Sequence, residues 1–162
     1  FWFNDFQDCL IGKTDCKQVM QKFFQSLALD IDIEAYFKDW FDYEYHLNTE
    51  LFELIDKIRR ASIKTYIASN QEQHKHEFFQ DQPELTSHFD QIFTSSSLGH
   101  KKPDPHFWLQ ILQTLKLQPH EVLFIDDTQK IVLAAQQLGI KSHHYTNFAD
   151  AKKWLKQHLD FN

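Results

Sequence analysis

Two adjacent aspartates, Asp126 and Asp127, follow the apolar run Val122-Leu123-Phe124-Ile125. Neighbouring carboxylates repel, and each raises the other's pKa unless a cation compensates. A hard ion such as Mg2+ suits the pair, since it takes one or two carboxylates and keeps water or substrate phosphate as its other ligands. The alternative is that one Asp caps the next helix while the other is solvated. Ser69-Asn70 ends a second strand-like run, residues 63–68, ahead of a helix expected near Gln71. A hydroxyl beside free backbone N–H groups there makes either an anion pocket or a plain N-cap. Lys102 lies in Gly99-His100-Lys101-Lys102-Pro103-Asp104-Pro105, just before a proline-set helix start. Its ammonium either neutralises a phosphate or carboxylate or is solvated.

The surrounding pattern explains how such residues would meet. Helical spacing dominates the first third, with stripes at Phe3, Phe6 and Leu10, at Val19, Met20, Phe23, Phe24 and Leu27, and at Ile33, Tyr36, Phe37, Trp40 and Phe41. These stripes read as core packing. From about residue 48 helices alternate with short strands. A helix through Leu51, Leu54, Ile55 and Ile58 stops near Ala61. Strands are expected at 63–68, 91–94, 121–125 and 140–145, the third being the clearest buried one. Helices follow from Asp104-Pro105, over 131–138 with a stop at Gly139, and around Trp154, Leu155 and Leu159. Such alternation implies parallel βαβ units and an open α/β sheet, whose ligands bind at the carboxyl ends of the strands. Ser69, Asn70, Asp126 and Asp127 fall at those ends.

Composition narrows the classes. Hydrophobic residues at 42% and charged residues at 25% exclude intrinsic disorder for the 162-residue chain. No apolar run reaches the roughly 18–20 residues of a membrane span. The net charge of −6 has no basic stripe to offset it, so nucleic acid is not an expected partner. Cys9 and Cys16 form neither a CxxC motif nor a disulfide framework, which reads as reduced thiols in a cytoplasmic protein. The opening FWFNDFQDCL lacks a basic segment, so no signal peptide is expected. Ten histidines include His74 with His76 and His143 with His144, neither the i, i+4 helical pair of a zinc site, and they read as ordinary. Neither a GxSxG elbow nor a phosphate-binding Walker loop occurs.

The order Ser69, Lys102, Asp126-Asp127 on successive strand–helix units, with Lys-Pro-Asp-Pro at 102–105, resembles the haloacid dehalogenase (HAD) superfamily of hydrolases over residues 48–162. The resemblance implies a Rossmann-like parallel sheet with helices on both faces, plus a small helical cap made by residues 1–47. Those residues are similar to the caps of epoxide-hydrolase phosphatase domains and of phosphoglycolate-type phosphatases. It also implies roles. Ser69 contacts the phosphoryl group, with Asn70 beside it, and Lys102 balances charge on nucleophile and phosphate. Asp126 and Asp127 hold Mg2+. A small phosphorylated metabolite is the implied substrate, with neither a nucleic acid nor a membrane as partner.

One part of the family pattern is not matched. Its first motif, DxDx(T/V), supplies the aspartate nucleophile and an acid/base aspartate at the end of a central strand. Asp5, Asp8 and Asp15 have no buried strand ahead of them. The chain starts at Phe1 and its only methionine is Met20, so the motif is expected upstream, and this chain alone is expected to be inactive. In the family's strand order the missing strand would separate residues 63–68 from 121–125. Rival readings are a non-catalytic binding module and a metal-independent 2-haloacid dehalogenase, against which the acidic pair argues. A two-component receiver domain is disfavoured, because its acidic pair comes first in the chain.

Overall fold

The computed structural model describes residues 2–161, with side chains from residue 4 onward. Phe3, grouped above with Phe6 and Leu10, is therefore outside the described side chains. Helices α1 (Trp2–Leu10), α2 (Cys16–Ser26) and α3 (Ile33–Glu44) come first, then α4 (Thr49–Arg60). Strand β1 (Tyr66–Ser69) leads to α5 (Gln73–Gln80) and α6 (Pro83–His88). Next are β2 (Gln91–Thr94), α7 (Ser95–Leu98) and α8 (Pro105–Leu115). A 3-10 turn precedes β3 (Leu123–Asp126), followed by α9 (Gln129–Gln137), β4 (Lys141–His144) and α10 (Phe148–His158). No helix among the described residues is long and apolar enough to cross a membrane.

Local chemistry sets many of these bounds. Asp15, Asp32, Asn48 and Asp104 each accept a backbone N–H in the first turn of their helices, as N-cap side chains do. Gly139 follows α9 at φ +85°, a left-handed position that costs glycine little. Residues 63–65 precede β1 rather than joining it, so the strand starts three residues later and ends one residue later than its apolar pattern suggests.

The strands pair in parallel as β1 with β2 and β3 with β4, and β1 does not pair with β3. The sheet is thus two halves rather than one continuous ladder, in keeping with the expected separation of the strands at 63–68 and 121–125. Side chains of β3 alternate between faces. Phe124 packs with Phe107, Trp108 and Ala135 of α8 and α9, whereas Leu123 and Ile125 pack with Leu54, Ile58 and Leu155 of α4 and α10. Helices therefore cover both faces. Even so, every residue of β3 is only half-buried, a correction to its reading as the clearest buried strand. The β3–β4 ladder covers one edge of β3, and burial on both faces does not cover the other.

A separate aromatic core joins Cys9, Cys16, Met20, Phe37 and Phe41. Both cysteines are buried and unpaired. Buried Lys75 of α5 packs against this layer. Its ammonium lies 4.5 Å from the Phe41 ring centre and 5.2 Å from that of Phe78, and donates to Glu44 at 3.3 Å. Gly12, between α1 and α2, lies so close to α7 that a Cβ there would stand 2.6 Å from the Ser96 carbonyl oxygen.

At the amino end of β1, Asp90 gathers Arg59 at 2.6 Å, Lys64 at 2.8 Å and the Thr65 amide at 3.0 Å. Burial pushes this carboxyl up, but the Lys64, Thr65 and Arg59 bonds outweigh it and hold the pKa at about 2. A depressed carboxyl stabilises the fold above its unfolded pKa, near 3.9, and that contribution fades as pH falls through the folded value. Asp90→Asn is expected to cost roughly 1–2 kcal/mol at pH 7, after allowance for the exposed Lys64 partner. Denaturant melts from pH 5 to about pH 2 should show the gap to wild type closing between about pH 4 and 2. A gap independent of pH would assign the stability to something other than the charge.

Candidate functional site

Lys102 joins the two half-sheets. Its ammonium donates at 2.8 Å to the Ala68 carbonyl of β1 and at 2.6 Å to Asp126 Oδ2 at the end of β3. Strand carbonyls alternate between edges, and the Thr65 carbonyl already accepts from Asp90 on the β2 side. The Ala68 carbonyl therefore points away from β2, toward the edge without a ladder. The side chains of Lys102 and Asp126 are only 8% and 7% exposed, so this ion pair is screened little by water. The Phe124 ring lies 5.5 Å from the ammonium.

Asn70 fixes the loop that presents this lysine. Its side-chain amide donates to the Lys102 carbonyl at 2.9 Å and its Oδ1 accepts the Lys102 N–H at 2.8 Å. This corrects the reading of Ser69-Asn70 as the cap of the following helix. The helix begins at Gln73, and Glu72 caps it by accepting the His74 and Lys75 amides. Ser69 and Asn70 thus stand ahead of the first helical turn. The side chain of Asn70 reaches across the chain to residue 102, which no local signal in the sequence encodes. Ser69 Oγ makes no hydrogen bond among the described residues and stays half-buried at the carboxyl end of β1.

The two aspartates have different surroundings. Asp126 Oδ1 accepts the Thr128 N–H at 2.9 Å while Oδ2 takes Lys102, so both oxygens are already engaged. Asp127 is exposed, with only a 3.4 Å contact from Thr128 Oγ1 to its carboxylate. The Thr128 N–H bond to Asp126 resembles a helix cap, but Thr128 itself is the residue at the start of α9. Two carboxylates make an all-oxygen donor set, which fits a hard ion that keeps most of its waters. Asp127 has the freer lone pairs.

The helical layer reaches the same loop. Lys101 donates to Gln7 of α1, beside the segment that positions Lys102. Asp15 caps α2 and lies 3.4 Å from His74, and Asp8 pairs with Lys13 at 3.8 Å. These two acids have structural partners, Lys13 for Asp8 and His74 of α5 for Asp15.

Known proteins share this arrangement of elements. A family model described as haloacid dehalogenase-like hydrolase matches residues 6–144. A bifunctional epoxide hydrolase of Mus musculus is 35% identical over 74 residues, 46% of this chain and 13% of that protein. The chain thus spans only a small part of that relative's length. D-ribitol-5-phosphate phosphatase of Bacteroides thetaiotaomicron is 22% identical over 156 residues, 93% of this chain and 75% of that one. Among solved structures, a HAD family enzyme from the same organism, crystallised with magnesium and inorganic phosphate, aligns with TM-score 0.75 at 18% identity. That alignment covers 86% of this chain and 73% of the other, and supports the fold.

Lys102→Met keeps the packed stem but leaves Asp126 with an uncompensated, largely buried charge, and is expected to destabilise the fold by about 3 kcal/mol. Adding Asp126→Asn should recover part of that loss. A double-mutant cycle by urea unfolding is expected to give a coupling of roughly 1–3 kcal/mol. Strict additivity would show that the pair contributes no net interaction.

Proposed function

Because the chain belongs to the haloacid dehalogenase-like hydrolases, we propose that it supplies the phosphate-binding and metal-binding part of a Mg2+-dependent phosphatase acting on small phosphate esters. One observation carries this reading. Lys102, from a loop ahead of α8, places its ammonium against Asp126 at the same strand ends as Ser69. Ser69 Oγ is a free donor for a phosphoryl oxygen. The ammonium of Lys102 balances the negative charge of phosphate and nucleophile, in a setting where such charge is poorly solvated. Asn70 holds the Lys102 backbone and acts through it as a positioning residue. Asp127, with Asp126, would hold Mg2+, which when bound neutralises charge on the phosphoryl oxygens.

The proposal places residues 1–47 as cap and 48–162 as core. It places the nucleophile outside the set above, on a strand between β1 and β3. Asp8 and Asp15 are committed elsewhere, as described. The Asp126-Asp127 pair, an all-oxygen set suited to Mg2+, favours the phosphatase reading over a metal-independent dehalogenase.

Two measurements test it. In the protein completed by a first-motif strand, Lys102→Ala and Asp127→Ala are each expected to lower kcat for an aryl phosphate by about 10²-fold or more. Wild-type rates in both would overturn the proposal. The 162-residue chain alone, with Mg2+, is expected to release no phosphate. Turnover that co-purifies with it, and vanishes with Lys102→Ala, would place a nucleophile among the residues described here.

A further inference from the structure

We propose that His100, Asp104 and His106 form a binding site for a divalent transition ion of the Zn2+ class, distinct from the hard-ion site at Asp126 and Asp127. The three side chains bring two imidazole nitrogens and a carboxylate within 4.8 Å of one another. His100 Nδ1 lies 3.1 Å from Asp104 Oδ2, and His106 Nδ1 lies 2.9 Å from Asp104 Oδ1. Donors about 2.0–2.2 Å from a tetrahedral ion stand roughly 3.3 Å from each other, close to the two His–Asp spacings, and an ion would take the place of the Nδ1 protons that now bond the carboxylate. The imidazole rings are stacked, with centres 5.0 Å apart and planes 24° apart, so both nitrogens face one carboxylate.

The arrangement is held before any ion arrives. Asp104 caps α8 by accepting the His106 N–H at 2.9 Å, which fixes the carboxylate at the helix start. The Asp104 N–H donates to the Lys101 carbonyl at 2.8 Å, closing the loop beneath it. The neighbouring Lys101 ammonium is bonded to Gln7. All three ligands come from seven residues, so little chain entropy is lost on closure.

Donor type selects the ion. Imidazole nitrogens suit Zn2+, Co2+, Ni2+ or Cu2+, whereas Mg2+ prefers an all-oxygen set. Three protein ligands leave one position for water or an external ligand. An ion here would tie the loop before α8 to the first turn of that helix, and so stiffen the segment that presents Lys102. The site stands independently of the phosphatase reading.

Calorimetric titration of the protein with ZnCl2, in excess Mg2+, is expected to show Zn2+ bound at one site per chain. The exposed His106→Ala is expected to weaken that binding by about tenfold or more. Asp104→Asn should do the same while retaining an N-cap of equal quality, with circular dichroism confirming the fold. Because the chain has ten histidines, an affinity unchanged in either folded variant would place the ion elsewhere and overturn the proposal. So would the absence of Zn2+ binding up to about 1 mM, or its displacement by Mg2+.

Discussion

The ammonium of Lys102 lies between two strands that do not pair with each other. Placing a lysine and an aspartate side chain at 8% and 7% exposure carries a desolvation cost that Coulomb attraction alone often fails to offset. Here the ammonium has a second acceptor in the Ala68 carbonyl, and Asp126 has a second donor in the Thr128 N–H. Each charge is thus hydrogen-bonded on two sides, the condition under which a buried pair is tolerated. Loss of either partner would leave the β1 edge and the β3 end without this link. Ser69 and Asp127 stand on different half-sheets, which this link and the apolar core shared around α8 hold together.

Lysine burial takes a second form at Lys75. There the ammonium faces the rings of Phe41, Phe78 and Phe79, with Glu44 as its carboxylate partner. Burial pushes the Lys75 pKa down, while Glu44 acts against that. The contrast between the two lysines is chemical. Lys75 is enclosed by apolar rings on the side of the helical layer, where its charge serves packing between α3 and α5. Lys102 faces carbonyl and carboxylate oxygens at strand ends, where a phosphoryl group would add further oxygens of the same kind.

Much of the fold was legible because its signals are local. The caps at Asp104 and the turn at Gly139 need only the residue and its neighbours, and helices α1 to α4 carry their apolar stripes plainly. The misread segment at 69–72 shows where locality fails. Ser and Asn are better N-cap types than Glu, yet Glu72 caps α5 because its carboxylate is buried and finds the His74 and Lys75 amides there. Asn70 is drawn instead to Lys102, 32 residues away, and a contact of that separation leaves no trace in spacing. The half-burial of β3 was hidden for a similar reason. An apolar run reports what packs on its faces and says nothing of its edges.

The same limit applies to His100, Asp104 and His106. Spacings of four and two do not form a stripe on one helix, because the set straddles a loop and the first turn of α8. Only the chain reversal at residues 101–104 turns His100 back over His106. That reversal is also what brings Lys102 inward, since Asn70 clamps the backbone of Lys102 from the opposite side. One short loop thus presents an ammonium to the strand ends and a nitrogen-rich donor set to solvent. Two kinds of cation would then meet different donors on this fold, a hard ion at Asp126 and Asp127 and a softer one at the imidazoles, with ligand chemistry rather than charge alone separating them.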